Sequence, residues 1–227
     1  GGIHPSPDGE TLAFVAADAP PAKEDELEEK GFRAIVYEES VPVQRVWLLD
    51  LASGEARARD LPGSASGLRW APDGERYAVA LAPTPLVDDS YTSRDVYIVD
   101  AEDGEVTAKL GSVGKLGEFA WSPDGERIAY IGSEDIHDPR EGRLFVVPAD
   151  GGERVELLPD YPGHVRQIGW EADNRIRYVG HRGLWSEYGT VAADEPRAAG
   201  PAPDSGPILR SMDGVGGKRG AAFVADT

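Results

Sequence analysis

The chain has 227 residues and a formal net charge of −18 at pH 7, from 41 acidic and 23 basic side chains. Such a charge repels phosphate backbones and anionic membranes, so it argues against nucleic-acid binding and against membrane attachment. The chain has no cysteine, which excludes disulfides, thiolate nucleophiles and thiolate metal sites.

The composition and the first residues of the chain give information about the cellular location of the protein. Absence of cysteine favours the cytoplasm. The first ten residues, GGIHPSPDGE, lack an initiator methionine and both the basic and the apolar segments of a signal peptide. We therefore expect the chain to be a segment of a larger protein. A periplasmic or secreted location stays open, because the native N-terminus would then lie upstream.

One phrase recurs along the chain. HPSPDGETLAF begins at His4, WAPDGERYAV at Trp70 and WSPDGERIAY at Trp121. In the Pro-Asp-Gly core, proline presets φ, aspartate suits the next position, and glycine takes the positive φ that follows. The turn residues are Asp8 and Gly9, Asp73 and Gly74, and Asp124 and Gly125. Degenerate copies of the phrase are WEADNRIRYV around Asp173 and SMDGVGGKRGAAFV around Asp213.

A second apolar run follows each turn. The runs are VWLLDLASGEARA from Val46, VYIVDAEDGEVTA from Val96 and LFVVPADGGERVE from Leu144. Two hairpins in each repeat of about 50 residues predict a four-stranded antiparallel sheet, and repeats of that length indicate a β-propeller. The predicted fold class is therefore all-β.

The repeat also predicts the division of the chain. We expect a single propeller domain over 1–227, with blades at approximately 1–62, 63–112, 113–162 and 163–200 and a partial blade at 207–227. Four or five blades suggest part of a seven- or eight-bladed ring; a compact ring of about five blades is the alternative. The predicted core between blades comprises Trp70, Trp121, Trp170, Ile128, Tyr130 and Val146, and the alternative for the tryptophans is an aromatic binding platform.

No catalytic motif is present. The sequence contains no G-x-S-x-G, no H-E-x-x-H and no phosphate-binding glycine loop, so we predict no catalytic residue, cofactor or metal in this chain. Turn chemistry explains the turn aspartates. His137, with Glu134, Asp135 and Asp138 around it, is compatible with an oxygen-rich cation site, but an exposed loop explains the same residues.

An insertion at 17–40 lengthens the first repeat. Its centre, KEDELEEK, would form a short helix or a solvated loop. At its end, Glu38 and Glu39 form a pair of carboxylates that could bind an amino group. The competing interpretation is two solvated acids on the approach to a strand.

Two stretches resemble a known family. The pattern W-S/A-P-D-G-x-x-I/Y-A followed by VYIVD…GE resembles the repeats of TolB-like proteins and of prolyl oligopeptidase-family serine peptidases. The segment EEKGFRAIVYEESVPVQRVWLLDLASGEA, 28–56, is similar to the first blades of the acylaminoacyl peptidase and dipeptidyl aminopeptidase branch of that family.

The resemblance implies a function. In such enzymes a propeller of seven or eight blades precedes an α/β-hydrolase domain with the Ser-Asp-His triad, caps the active site and admits short or unstructured peptides. This chain would be the non-catalytic gating part, its partners a C-terminal hydrolase domain of the same protein and a peptide substrate. A glutamate pair in a VYEE context holds the substrate N-terminus in dipeptidyl peptidases, which implies that role for Glu38 and Glu39.

Two alternatives remain open. The first is a TolB-like propeller that acts as a protein-binding scaffold without enzymatic activity. The second is a free-standing propeller enzyme with a cation bound in its channel.

Overall fold

A computed structural model describes residues 2–18, 26–27, 29–32, 34, 38–39, 41–137, 141–197, 208–214 and 221–226. These residues form mostly antiparallel strands. The first sheet contains β1 (Ile3–Pro5), β2 (Thr11–Ala17), β3 (Gln44–Asp50) and β4 (Ala56–Ala58). The second contains β5 (Ser64–Trp70), β6 (Arg76–Ala82), β7 (Asp95–Asp100) and β8 (Val106–Leu110), with the short helix α1 (Val87–Thr92) between β6 and β7.

The remaining sheets continue the pattern. The third contains β9 (Phe119–Trp121), β10 (Arg127–Gly132), β11 (Arg143–Pro148) and β12 (Val155–Glu156). The fourth contains β13 (His164–Trp170), β14 (Arg175–Arg182) and β15 (Trp185–Ala192), and the last is the hairpin of β16 (Ile208–Gly214) and β17 (Ala221–Asp226). Strands follow one another in chain order within every sheet, so each blade is a simple meander.

The blades are arranged by their first strands. Strand β5 contacts both β1 and β9, and β13 contacts β9. These first strands are edge strands of their own sheets. First strands that meet in this way border the central channel of a β-propeller, so we call the side of the blades formed by these strands the channel; the later strands of each blade lie further out.

The core lies between blades because each sheet is apolar on both faces. Side chains alternate across a strand, so β10 serves two interfaces. Ile128 and Tyr130 pack with residues of the second blade, whereas Ala129 and Ile131 pack with residues of the fourth. Val146 lies in the latter interface. A blade cannot bury both faces alone, so stacking of neighbours stabilises the whole array.

The predicted all-β fold of antiparallel blades is confirmed. Three sheets have four strands, while the described residues of the fourth and fifth blades contribute three and two. The limits of each blade and the size of the complete ring stay predictions. In the part of the chain that the structure describes, no helix has the length and apolar character needed to cross a bilayer.

Candidate functional site

The two ends of each blade, where the strands are connected, differ from each other. Because successive strands run in opposite directions, the turn after a first strand and the turn after a third strand lie at the same end. We call this the turn face. The connections between second and third strands lie at the other end, the loop face. They cover residues 18–43, 83–94, 133–142 and 183–184, and the first three of these are longer than any turn within a blade at the other end.

The recurrent turns account for their aspartates. The Gly125 N–H donates to the Ser122 carbonyl at 3.0 Å, and Gly125 has a φ of 72°. Asp124 Oδ1 accepts from the Ser122 hydroxyl and from the Glu126 N–H, the latter at 3.0 Å. These two bonds hold the pKa of Asp124 below its usual range. The carboxylate thus closes the turn, which leaves it poorly suited to act as a general acid.

The same turn recurs in the other copies. Asp8 Oδ1 accepts from the Glu10 N–H at 2.9 Å, and Asp73 Oδ1 accepts from the Glu75 N–H at 2.9 Å. In the degenerate fourth copy of the turn, Asn174 occupies the position of the glycine and has a φ of 67°. Asparagine is one of the few residues that tolerate this region, so the turn persists without its glycine.

The three repeat tryptophans join neighbouring blades. Each indole N–H donates to a backbone carbonyl of the preceding first strand, always from the equivalent position. The pairs are Trp70 with His4 at 2.9 Å, Trp121 with Arg69 at 3.0 Å, and Trp170 with Ala120 at 3.0 Å. Arginines of the preceding blade cover two of the rings, with Arg76 Cζ 5.2 Å from the Trp121 ring centroid and Arg127 Cζ 5.5 Å from that of Trp170. The tryptophans therefore hold the channel strands at a constant spacing.

The predicted carboxylate pair lies on the loop face. Glu38 is half-buried, with a φ of 60°, and Glu39 is exposed. A positive φ is uncommon for glutamate and places the backbone in a strained region. Residues 35–37 and 40 lie outside the described residues. Elsewhere in the insertion, the Lys30 N–H donates to the Glu26 carbonyl at 3.3 Å, the spacing of a helical hydrogen bond, and residues 19–25 and 28 lie outside the described residues.

Two of the four histidines, His137 and His164, have defined contacts. His137 Nδ1 lies 3.1 Å from Asp135 Oδ1 in an exposed loop, and Asp138 lies outside the described residues. His164 Nδ1 accepts the Gly142 N–H at 2.7 Å, and burial lowers the pKa of His164. Over the described ranges, no three potential metal-ligating side chains come together.

A cleft of about 500 Å³ lies on the turn face between the first two blades. Its walls include Trp70 and the carboxylates of Asp8, Glu75, Asp100 and Glu102. Two of these carboxylates already serve turns: Asp8 as described, and Asp100, whose Oδ1 accepts the Glu102 N–H at 2.8 Å. The turns that border the cleft therefore account for these two carboxylates in its walls.

One set of residues was missed by the sequence analysis. Arg69 and Arg166 lie on channel strands, and both are exposed. The available signal was a basic residue shortly before the tryptophan of a repeat. That signal has meaning only once the first strand of each repeat is known to line the channel.

The chain is similar in sequence to one known protein. No protein-family profile matches the chain. Dipeptidyl-peptidase 5 of Porphyromonas gingivalis is 31% identical over 112 residues, which cover 48% of this chain and 16% of that protein. The chain thus spans a small part of the length of this relative.

Solved structures match a larger share. The acylaminoacyl peptidase of Pyrococcus horikoshii superposes with a TM-score of 0.65 and 16% identity, over 100% of this chain and 35% of that one. TolB of Acinetobacter baumannii gives a TM-score of 0.51 and 16% identity, over 85% of this chain and 40% of that one. The chain is a β-propeller. The resemblance of this propeller to those of prolyl oligopeptidase-like peptidases and TolB is confirmed at the level of the fold.

Proposed function

We propose that this propeller is the non-catalytic domain of a serine peptidase that acts on short peptides, of the acylaminoacyl or dipeptidyl type. It limits access to an α/β-hydrolase domain in the same polypeptide. The observation that carries the proposal is the 31% identity to dipeptidyl-peptidase 5. We further propose that the protein works in the cytoplasm, because the chain has no cysteine.

The architecture supports a gating role. The first strands of the blades border a channel, and the tryptophan hydrogen bonds hold those strands together. In the complete ring, such a channel would admit an extended peptide and exclude a folded domain. Selection would then be steric, and it requires no nucleophile in this chain.

The carboxylate pair would add recognition of the substrate. A peptide α-amino group is a cation near neutral pH, and two adjacent carboxylates can bind it through charge-assisted hydrogen bonds. Glu38 and Glu39 lie on the loop face, in the connection between β2 and β3. We propose that they bind the substrate N-terminus. Replacing both by glutamine should raise KM for peptides with a free N-terminus and leave KM for N-acetylated peptides unchanged.

The first test is activity with and without the rest of the polypeptide. We expect the 227-residue chain to release no p-nitroaniline from dipeptidyl or acylaminoacyl substrates, and the full-length gene product to release it. A hydrolase domain expressed without the propeller should also cleave the exposed N-terminal segment of a folded protein, which the full-length protein should exclude. A reading frame that encodes no G-x-S-x-G downstream would refute the proposal.

The similarity to TolB favours a second candidate, a protein-binding scaffold with no attached enzyme. A secretory signal upstream of Gly1 together with no hydrolase sequence downstream would favour this candidate. Affinity purification from the native cell would then recover a stoichiometric protein partner, and the full-length gene product would be inactive on both substrate classes.

A further inference from the structure

A guanidinium group lies on the turn face at the contact between the second and third blades, which we call the second junction. Arg76 follows the turn of the second blade, and its Cζ lies 5.2 Å from the ring centroid of Trp121 in the third blade. Arg76 Nη2 donates to Asp73 Oδ2 at 3.0 Å and to the Gly125 carbonyl at 3.1 Å. The guanidinium group thus contacts the carboxylate of its own turn, a carbonyl of the next turn and the indole ring of the next blade.

The third junction, between the third and fourth blades, also has an arginine over an indole. Arg127 occupies the position of Arg76, because each lies three residues after the aspartate of its turn. Its Cζ lies 5.5 Å from the Trp170 ring centroid. A cation over an indole ring is attracted by the negative face of the ring. The repeat therefore places one guanidinium group over the tryptophan at both of these junctions.

The first junction, between the first and second blades, has a cleft at this place. The residue three positions after Asp8 is Thr11, and Thr11 matches Arg76 in the register with the third strand of its blade. The cleft of about 500 Å³ is lined by Thr11, Asp8, Gly74 and Trp70. The same four positions at the second junction are held by Arg76, Asp73, Gly125 and Trp121. The cleft therefore lies where the second junction holds a guanidinium group, and it retains the positions of all three partners of that group.

One of these partners has an oxygen to offer. Asp8 Oδ1 accepts both hydrogen bonds of the turn, from the Ser6 hydroxyl at 2.5 Å and from the Glu10 N–H at 2.9 Å. Asp8 Oδ2 corresponds to the oxygen of Asp73 that accepts Arg76, and it has no hydrogen bond within the described ranges. An exposed carboxylate oxygen thus borders the cleft.

The other wall of the cleft adds negative charge. Glu75, Asp100 and Glu102 line it together with Asp8, and the described residues contribute no basic side chain to the lining. Asp100 has no acidic counterpart at the second junction, because Pro148 occupies the equivalent position there. The first junction therefore has one carboxylate more and one guanidinium group fewer than the second.

One basic side chain lies beside the cleft. Arg59 Nη2 donates to the backbone carbonyls of Ala101 and Glu102, the latter at 3.1 Å. This guanidinium group is held by carbonyl oxygens and offsets the charge of one carboxylate at most. Four carboxylates in the walls outnumber it, so the charge of the cleft favours a cation.

We propose that this cleft binds the guanidinium group of an arginine side chain in a peptide segment of another molecule. A guanidinium group stacks on an indole ring and donates hydrogen bonds in its own plane, as Arg76 does at the second junction. An ammonium group is a compact point charge without a planar face, so the cleft should prefer arginine to lysine. The four carboxylates would repel the α-carboxylate of free arginine, which favours arginine within a peptide. The proposal is independent of the proposed peptidase function.

The test is a titration of the 227-residue chain followed by ¹H–¹⁵N NMR, with the amide shifts of Gly74 and Glu75 as reporters of the cleft. The probes are N-acetylated tripeptide amides with arginine, citrulline or lysine between two alanines. Citrulline keeps the size and planarity of arginine and removes its charge. Free arginine is the fourth probe and tests whether the ligand must be part of a peptide.

We expect the arginine peptide to bind at least about tenfold more tightly than the citrulline peptide, because the charge is recognised. The lysine peptide and free arginine should both bind more weakly than the arginine peptide. Raising NaCl from about 20 mM to about 300 mM should weaken binding of the arginine peptide, because the walls of the cleft are open to solvent and their charges are screened.

The decisive variant restores the arginine of the repeat. Thr11→Arg places a guanidinium group in the cleft itself, so it should weaken binding of the arginine peptide at least about tenfold and raise Tm by adding a contact between the blades. The matched control is Thr107→Arg, an exposed threonine on the outer strand β8. It adds the same charge away from the cleft and should leave binding unchanged.

The reverse variant keeps the proposal testable should Thr11→Arg fail to fold. Arg76→Thr should open an equivalent cleft at the second junction. The amides of Gly125 and Glu126 should then shift on addition of the arginine peptide, and the same amides of the parent should not.

Four results would overturn the proposal. Equal binding of the arginine and citrulline peptides would show that the charge is not recognised. Unchanged binding by Thr11→Arg would place the ligand outside the cleft. An equal loss in Thr107→Arg would assign the effect to the net charge of the protein. Binding of free arginine as tight as that of the peptide would refute a peptide segment as the ligand.

Discussion

The tryptophan hydrogen bonds between blades can be tested by replacing a single indole. Trp121 is 7% exposed, and its Nε1–H donates to the Arg69 carbonyl of the preceding blade at 3.0 Å. Trp121→Phe keeps an aromatic ring in the interface and removes this donor. The matched control is Trp47→Phe, because Trp47 Nε1 is buried and has no hydrogen-bond partner among the residues that the structure describes.

The expected loss of stability has two parts. A hydrogen bond of this kind contributes about 1 kcal/mol to the free energy of unfolding. The smaller ring removes apolar contact area worth about 1–2 kcal/mol, so Trp121→Phe should cost about 2–3 kcal/mol in total. In Trp47→Phe, removal of an unpaired buried donor offsets the loss of ring area. We therefore expect the two variants to differ by about 2 kcal/mol.

The measurement is urea unfolding of the 227-residue chain, followed by far-UV circular dichroism so that tryptophan loss does not alter the signal. Hydrogen exchange of the backbone amides of β9 reports whether the junction opens locally. Equal destabilisation by Trp121→Phe and Trp47→Phe, within about 0.5 kcal/mol, would refute a stabilising role for the inter-blade hydrogen bond.

Three further predictions concern the turns and the junctions. Gly125→Ala should lower the free energy of unfolding by about 1–2 kcal/mol because φ is 72° there; Gly111→Ala, in open space, should not lower it, and equal losses would contradict this reasoning. The folded-state pKa of Asp124 lies below its ordinary 3.8, so the ionised carboxylate stabilises the fold above pH 3.8 and this stabilisation is lost as the pH falls. Asp124→Asn should therefore flatten the decline of Tm below pH 5. A Tm that falls with pH as steeply as in the parent would contradict this prediction. The folded-state pKa of His164 lies below 6.5, so protonation of His164 favours unfolding as the pH falls below 6.5, and the protonated ring can no longer accept the Gly142 N–H. Between pH 7.5 and 5.5, His164→Gln should therefore lose less free energy of unfolding than the parent. A larger loss in the variant would contradict this prediction.

Much of the fold could be predicted because its signals are local. The turn at Asp124 and Gly125 depends on contacts between residues no more than five positions apart, so the letters Ser-Pro-Asp-Gly suffice to identify it. The alternating apolar runs on either side indicate strands for the same reason. Repetition at intervals of about 50 residues then predicts stacked blades and places the core between them.

Other features could not be derived from local patterns. The acceptor of each indole N–H lies in the preceding repeat, 52 positions away for Trp121 and Arg69, and no local pattern marks it. Glu38 and Glu39 were found by their adjacency in the chain, but only the meander places them on the loop face. Their role remains a proposal.

The sequence by itself determined the period, the turns, the strands and the absence of a catalytic motif, since these depend on neighbouring residues. Only the tertiary structure decided what the channel contains. Arg69 and Arg166 belong to different repeats, and each is an ordinary surface arginine within its own strand. They act on the same carboxylate, Glu118, because the blades bring their first strands together along the channel. The electrostatic field of the channel is thus a property of the assembled blades.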